Sequence, residues 1–185
     1  MKLIEREGKK KSELTAIRFR SDIPVVMYES GKSGRGINAV VNGREFDAVL
    51  RKLPKGYLPT TLFDMEWEGT SRRAIVKDIQ YHPTTYGILH IDFMVLDDAV
   101  PVDLKVPVVP VGEAECTGVK LGGFLRHLIR HVRVRCLPKH IPTDFKVDVR
   151  PLDIGDTKRV RDIEVGSEVR MFTPGGEVVF VIAKR

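Results

Sequence analysis

The sequence has little cysteine and no long apolar run, and each absence excludes a class of protein. Cys116 and Cys136 are its only cysteines. They match no zinc-site spacing and are too few for a disulfide framework, so we expect two free thiols, with Cys136 buried on a strand. No apolar run approaches the length of a membrane span, and the residues after Met1 lack the hydrophobic region of a signal peptide. These absences predict a cytoplasmic protein with no membrane partner.

Patterns typical of catalysis or cofactor binding are also missing. The sequence has no Gly-rich phosphate-binding loop, and neither paired carboxylates nor further metal ligands accompany its histidines. From spacing alone, His82, His90 and Asp92 have three interpretations: a metal or acid/base site, a structural hydrogen-bonded group, or a ligand-contact surface. The first is the weakest because too few ligands are present. We expect no catalytic residue, no metal site and no cofactor.

Basic residues outnumber acidic ones by a modest margin. The chain has 31 Lys and Arg against 25 Asp and Glu, a net charge of +6 and a pI near 9.4. This excess is compatible with a nucleic-acid partner but does not establish one. Residues 1–20 hold seven basic and three acidic groups, and no acid lies between Glu115 and Asp144. The basic charge is therefore concentrated in two stretches.

The N-terminal stretch forms a basic cluster made of Arg6, Lys9, Lys10, Lys11, Arg18 and Arg20. One interpretation is a solvated face, since Lys and Arg side chains normally lie outside. The other is phosphate neutralisation, which positions a protein on a nucleic acid without specifying sequence. The residues alone leave both open.

Short alternating runs indicate a chain that is mainly β with few helices. Strands are predicted over residues 24–28, 37–41, 62–67, 73–81 and 88–96, with a helix over 43–50. Residues 9–20 are helix or loop, with Leu14, Ile17 and Phe19 turned inward. This pattern predicts a small N-terminal β-barrel of mixed α+β type, residues 1–96. A turn-rich boundary follows, and alternating runs punctuated by prolines predict an all-β C-terminal domain, residues 97–185.

The most informative segment is a predicted hairpin near the end of the first domain. Two strand-like runs are joined by the turn-rich residues 83–87. Because side chains alternate along a strand, Gln80 and His82 share one face, and His90 and Asp92 share another. Four apolar residues on the opposite faces are expected in the core: Ile79, Tyr81, Ile91 and Phe93. The hairpin would then present polar side chains able to read hydrogen-bond patterns.

The hairpin also carries motifs that occur in a fixed order with others. It reads D-I-Q-Y-H-P and then H-I-D-F, and residues 23–28 upstream read I-P-V-V-M-Y. These motifs resemble bacterial large-subunit ribosomal protein twenty-five, a family that binds 5S rRNA. Downstream, G-V-K-L-G-G at 118–123, C-L-P at 136–138 and L-D-I-G-D at 152–156 resemble the longer, two-domain Ctc form, named from a general stress protein. The resemblance covers nearly the whole chain.

The resemblance implies which residues contact RNA. In the family, the equivalents of Arg18, Tyr28, His90 and Asp92 approach the minor groove of an irregular helix of 5S rRNA, where base edges, 2′-hydroxyls and shape are read. Tyr28 alone is equally compatible with a buried strand-end ring, and the spacing after Arg6 is shorter than the family's R-x-x-G-K. The full predicted RNA-binding set is Arg6, Lys9, Lys10, Arg18, Arg20, Tyr28, Lys77, Gln80, His82, His90 and Asp92.

The implied function is that of a structural, ribosome-associated protein of the large subunit, which binds 5S rRNA and contributes to the central protuberance. Two alternatives differ from it in class. One is an RNA-modifying or RNA-cleaving enzyme that uses His90 and Asp92. The other is a stress-regulated interaction protein whose main partner binds the C-terminal domain. In that domain the stretch from Arg126 to Lys139 is either a solvated strand face or a contact with other rRNA or a ribosomal protein.

Overall fold

The computed structural model describes residues 3–6, 11–29, 36–67 and 69–184. The chain divides into two compact units, Met1–Val102 and Asp103–Arg185. The prediction that residues 1–96 and 97–185 fold as separate domains remains a prediction. Among the described residues, no helix is both long and apolar enough to cross a membrane.

The N-terminal unit is a strongly curled six-stranded sheet with two helices. Its elements are β1 (Leu3–Glu5), α1 (Lys11–Phe19), β2 (Asp22–Glu29), β3 (Ile37–Asn42), α2 (Gly43–Lys52), β4 (Leu62–Trp67), β5 (Thr70–Tyr81) and β6 (Ile88–Val95). The strand order is β1-β3-β2-β6-β5-β4, with β2 and β6 parallel and the other pairs antiparallel. The two edge strands, β1 and β4, approach each other. The predicted small barrel is therefore confirmed.

Three phenylalanines on three elements form the centre of this unit's core. Phe46 of α2 and Phe93 of β6 are fully buried, and Phe63 of β4 packs between them with ring centroids 5.8 to 5.9 Å away. The helix that delivers Phe46 begins where the Asn42 side chain accepts hydrogen bonds from the backbone N–H groups of Arg44 and Glu45. A side-chain acceptor at this position satisfies N–H groups that have no partner within the helix. The cap therefore fixes where α2 starts and Phe46 enters the barrel.

Strand β5 changes its facing at a β-bulge. Ala74 and Val76 point into the core, but the next core-facing residue is Ile79, because the register with β6 shifts at Lys77. A bulge inserts one extra residue and re-aims the side chains that follow it. A second shift, between Gln80 and Tyr81, ends the alternation. Tyr81 is 51% exposed, so its predicted core position is wrong.

Helix α1 follows the prediction only in part. Leu14 and Ile17 are half-buried, as expected, but Phe19 is 86% exposed and its inward placement is wrong. On a helix, residues three and four apart share a face, so Leu14, Ile17 and Arg18 lie towards the sheet while Phe19 turns away. Arg18 rather than Phe19 makes the contact with the sheet.

The C-terminal unit is almost entirely strand and turn, as predicted. Its elements are β7 (Val102–Val111), a single helical turn α3 (Thr117–Lys120), β8 (Phe124–His127), β9 (His131–Cys136), β10 (Phe145–Asp148), β11 (Thr157–Arg159), β12 (Arg170–Met171) and β13 (Val178–Ala183). They form two sheets, ordered β10-β7-β9-β12 and β11-β13-β8. On β9, Val132, Val134 and Cys136 are buried while Arg133 and Arg135 are exposed. Cys116 and Cys136 are buried free thiols, which confirms that prediction.

Candidate nucleic-acid interface

The polar residues of the β5–β6 hairpin lie on one outer face of the barrel. Gln80 is directly opposite His90, and Asp78 is directly opposite Asp92. Directly opposed residues of an antiparallel pair point to the same side of the sheet. Gln80 and His90 therefore point to the same side, away from the apolar underside of the hairpin. Because the Lys77 bulge resets the alternation, the structure gathers these four side chains into a single surface, here called the hairpin face.

His90 and Asp92 form a close, partly buried pair within the hairpin face. His90 Nδ1 lies 2.8 Å from Asp92 Oδ1, and the two side chains are 17% and 28% exposed. The contact lacks hydrogen-bond alignment, so it becomes an ion pair only when the imidazole is protonated. Both side chains remain partly exposed to a ligand. The carboxylate can accept hydrogen bonds, and a protonated imidazole can donate them.

His82 has a structural contact in the hairpin turn. Its Nδ1 accepts from the backbone N–H of Thr84 at 3.4 Å and of Thr85 at 3.3 Å, and it lies 3.0 Å from Thr84 Oγ1. Because Nδ1 accepts, the proton of the neutral ring sits on Nε2. This geometry favours the structural interpretation of His82. No group of three or more candidate metal ligands occurs in the part of the chain that the structure describes.

Arg18 joins helix α1 to the strand that carries His90. Its Nε–H and Nη2–H groups donate to the carbonyl of Leu89, at 3.2 and 3.1 Å. Two donors on one carbonyl hold the guanidinium in place, while its other N–H groups stay available. Arg18 is therefore anchored to the residue next to His90. This contact is between distant parts of the sequence, and no sequence pattern predicts it.

Tyr28 lies on the same outer side of the sheet as Asp92. In the parallel β2–β6 pair, Val26 is opposite Asp92 and Tyr28 is opposite Met94. The ring is 41% exposed, so the alternative of a buried strand-end ring is wrong. A side chain at Gly36 would place its Cβ 2.4 Å from Val26 and 2.9 Å from the Tyr28 ring. Glycine is needed there because any Cβ would collide with Val26 and with the Tyr28 ring.

The other predicted cations are less well defined. Arg20 and Lys77 are exposed, and Lys77 is the bulge residue next to Asp78. Arg6 is half-buried, and burial, followed by the nearby charge of Arg18, lowers its pKa. Lys9 and Lys10 lie outside the described residues. The structure therefore places Arg6 near Arg18 and leaves the roles of the lysines as predictions.

The second basic stretch contributes Arg135 to a pair of arginines that lie over one aromatic ring. Arg135 Nη2 donates to Asp103 Oδ2 at 2.7 Å, and its Nε also contacts that carboxylate. The same guanidinium lies 4.8 Å from the Phe172 ring centroid, and that of Arg170, directly opposite on β12, lies at 5.7 Å. Asp103 raises the pKa of Arg135. Arg133 projects from the same face of β9, so this surface is basic despite its one ion pair.

Two features of the site were not predicted. One is Asp78, which belongs to the hairpin face. It lies two residues before Gln80 in the D-I-Q-Y-H-P motif, so strand alternation could have placed it on the face of Gln80. Tyr86, in the turn, is 78% exposed with a φ of 55°. A turn composition indicates a turn but not which residue takes the left-handed conformation, so no sequence signal identified Tyr86.

The two units match two family models in order. The Ribosomal L25p family matches residues 1–93, and the ribosomal protein TL5, C-terminal domain, matches residues 101–185. The curated relative "Large ribosomal subunit protein bL25" of Chlamydia abortus is 42% identical over 180 residues, which is 97% of this chain and 96% of the relative. Relatives of the same name in Chlamydia muridarum and Chlamydia pneumoniae are 41% identical over the same shares. The predicted resemblance is confirmed, and the chain belongs to the ribosomal L25p family, in the two-domain form with a TL5-type C-terminal domain.

Proposed function

We propose that this chain is a structural protein of the large ribosomal subunit that binds 5S rRNA through its N-terminal unit and contributes to the central protuberance. Membership of a family whose curated relatives are named large-subunit proteins supports the assembly. The observation that supports the RNA contact is the hairpin face, where Gln80, His90 and Asp92 lie together beside Arg18 and Tyr28. No catalytic role is part of the proposal. As a ribosomal protein, it would work in the cytoplasm.

The hairpin face suits the edge of an RNA groove better than the phosphate backbone. Its two carboxylates, Asp78 and Asp92, are opposed across the β5–β6 pair and would repel phosphates. As acceptors they can take protons from guanine amino groups or 2′-hydroxyls, which the wide minor groove of RNA displays. Gln80 both donates and accepts. These groups therefore supply the specific part of recognition.

The surrounding cations supply the non-specific part. Arg18 is held against β6, while Arg20 and Lys77 are exposed. Phosphate contacts from such side chains fix the register of a protein on RNA and release counterions. The two kinds of contact differ in what their loss should do to RNA binding. Loss of a cation weakens binding to all RNA, whereas loss of a hairpin-face residue removes preference.

A second contact through the C-terminal unit, with other rRNA or a ribosomal protein, is supported by the arginines around Phe172. Arg135 and Arg170 are directly opposed across two strands, and like charges in that arrangement destabilise a sheet. Among the described residues, neither Arg133 nor Arg170 has a carboxylate within ion-pair distance. A polyanionic partner would offset this repulsion. Guanidinium groups also match phosphate oxygens in shape.

The proposed 5S rRNA contact is tested by His90→Ala and Asp92→Asn in the full chain. Each change leaves an RNA group unpaired in a partly desolvated interface, which costs roughly 1–3 kcal/mol, or about tenfold or more in affinity. Affinity is measured for 5S rRNA and for an unrelated duplex RNA. The duplex should hardly distinguish His90→Ala from the wild type, and Asp92→Asn should bind it slightly better because a negative charge is removed.

Glu66→Gln is a matched control, because it removes one exposed carboxylate charge from β4, away from the hairpin face. It should reproduce any general charge effect of Asp92→Asn and leave the preference for 5S rRNA unchanged. Melting curves of every free variant separate recognition from folding. Equal losses on both RNAs that track a fall in melting temperature would show that the pair only holds the hairpin together.

A further inference from the structure

Three exposed aromatic side chains lie at one end of the barrel, around the start of β6. Phe19 is 86% exposed, Tyr86 78% and Tyr81 51%. Tyr81 is directly opposite Ile88, the first residue of β6, and Tyr86 belongs to the turn just before it. Phe19 follows Arg18, whose guanidinium is bonded to the second residue of β6. This group, called the aromatic end, therefore adjoins the hairpin face.

The backbone at the aromatic end adopts unusual conformations. The described residues include two non-glycine residues with positive φ, Ser21 at 64° and Tyr86 at 55°, and both lie here. For a bulky residue such as Tyr86 this conformation is costly and persists only where neighbouring contacts impose it. The Tyr86 N–H donates to the carbonyl of His82 at 2.9 Å, and the His82 N–H donates to that of Gly87 at 2.7 Å. The turn thus holds an aromatic ring out into solvent at some cost.

A shallow polar cavity is lined in part by Arg18, the residue before Phe19. It has a volume of about 170 Å³ and is lined by α1, β2, α2 and β6 through Arg18, Ser21, Asp22, Asp47 and Ile88, among others. A volume of about 150 Å³ is enough for one aromatic ring. Two carboxylates and a guanidinium can accept from and donate to the edge of such a ring, if it is polar. A nucleobase has both the size and the edge chemistry for this place.

We propose that the aromatic end holds unpaired nucleotides of the RNA whose paired region meets the hairpin face. The proposal rests on the proposed 5S rRNA binding and adds a second kind of contact to it. Bases stack on aromatic side chains with little dependence on sequence, because every base has a π-face. Phe19 and Tyr86 offer rings that need no rearrangement to be reached. An apolar surface on another protein is the competing occupant, but the cavity lining of charged groups favours a polar, hydrogen-bonding ligand.

The test uses the full chain carrying Phe19→Leu or Tyr86→Asn. Leucine keeps apolar bulk without a π-face, and asparagine tolerates the left-handed conformation of residue 86. Loss of one stacked base should weaken binding to 5S rRNA roughly 5- to 150-fold. Binding to a fully paired duplex that copies the bound helix should not change. Phe19→Trp should retain the affinity, and Phe124→Leu on β8, a matched change at another exposed phenylalanine, should have no effect.

Chemical probing of unpaired bases gives a second readout. Bases protected by the wild type should become reactive with Phe19→Leu and Tyr86→Asn while the paired region stays protected. Unchanged affinity and unchanged protection in both variants would overturn the proposal. So would normal 5S rRNA binding combined with weaker incorporation into large subunits, since that identifies a protein partner. If the wild type shows no preference for 5S rRNA, the proposed function fails and this inference fails with it.

Discussion

The two units differ in charge in the opposite direction to that expected from their proposed roles. Residues 1–102 contain 16 Lys and Arg against 14 Asp and Glu, a net charge of +2, whereas residues 103–185 contain 15 against 11, a net charge of +4. The proposed specific site lies in the less basic unit. Net charge governs attraction to any polyanion, while preference for one RNA comes from placed donors and acceptors. A site of the second kind need not lie where the charge is greatest.

The arginines of the molecule make two kinds of contact. In the C-terminal unit, Arg150 Nη2 and Nε donate to Asp148, which lowers the pKa of that carboxyl to about 2. Arg135 is paired with Asp103 in the same way. The N-terminal unit has such pairs too, Arg72–Glu29 and Arg73–Asp98, but its Arg18 donates to a backbone carbonyl instead. Both units therefore neutralise part of their charge in ion pairs, whereas the N–H groups of Arg18 beyond its Leu89 contact stay available to a ligand.

The largest effect should come from separating the two units. Residues 1–102 should fold alone and bind 5S rRNA almost as well as the full chain, and residues 103–185 alone should show no preference for it. Ending the fragment at residue 96 should also preserve binding. The Arg73–Asp98 ion pair that is lost is exposed and contributes only about 0–1 kcal/mol to stability. Circular dichroism checks folding, and a binding titration checks affinity. A fragment 1–102 that folds but does not bind, while the full chain binds, would refute the assignment of the site to this unit.

An intermediate effect is expected when cations are removed from each unit in turn. Replacing Lys9, Lys10 and Lys11 by Ala should reduce the salt dependence of 5S rRNA binding, by roughly 0.7 to 0.9 in log–log slope for each phosphate that these lysines neutralise. The preference for 5S rRNA over duplex RNA should persist. The comparison variant replaces Arg133 and Arg170 by Gln and should leave the slope for isolated 5S rRNA unchanged. An unchanged slope in the lysine variant would mean that these side chains are only solvated.

Most of the fold was predictable, because period-2 alternation directly records which side of a strand is buried. The hairpin and helix α2 were each predicted close to their observed bounds, and Cys136 was expected on a strand. The composition of the hairpin face was predicted less well. The bulge at Lys77 shifts the phase of β5 by one residue, and the sequence around it contains no glycine or proline that would signal the shift. Cross-strand partners depend on that register, so Asp78 opposite Asp92 could not be deduced.

The direction of Phe19 was unpredictable for a different reason. Helical spacing allowed Leu14, Ile17 and Phe19 to point inward, and hydrophobicity favoured the phenylalanine over its charged neighbour. The deciding contact is tertiary: Arg18 donates twice to the Leu89 carbonyl, 71 residues away in sequence. A charged side chain therefore occupies the place that hydrophobicity alone would give to Phe19. Exposed aromatics of this kind are errors for a sequence prediction but informative in a structure.

The smallest effect should be a pH dependence confined to the C-terminal unit and centred on His127. The residue is directly opposite Phe180 on β13, with ring centroids 4.5 Å apart, and its buried Nε2 has no hydrogen-bond partner among the described residues. Burial lowers the pKa of His127, as do the charges of Arg130 and His131, while a backbone hydrogen bond with Ile129 and the charge of Glu113 act against the change. The neutral ring is therefore favoured in the folded unit.

The sign of the pH effect follows from that lowered pKa. Below its ordinary pKa of about 6.5, the unfolded chain binds a proton that the folded unit resists, so stability falls as the pH drops from about 7 through the folded pKa. Urea unfolding of the C-terminal unit between about pH 7.5 and 5 measures this decrease. His127→Phe should flatten the dependence, because phenylalanine can pack on Phe180 without titrating. Asp148 does not interfere, since its pKa of about 2 places its titration at lower pH. An identical pH slope in the wild type and in His127→Phe would show that another group is responsible.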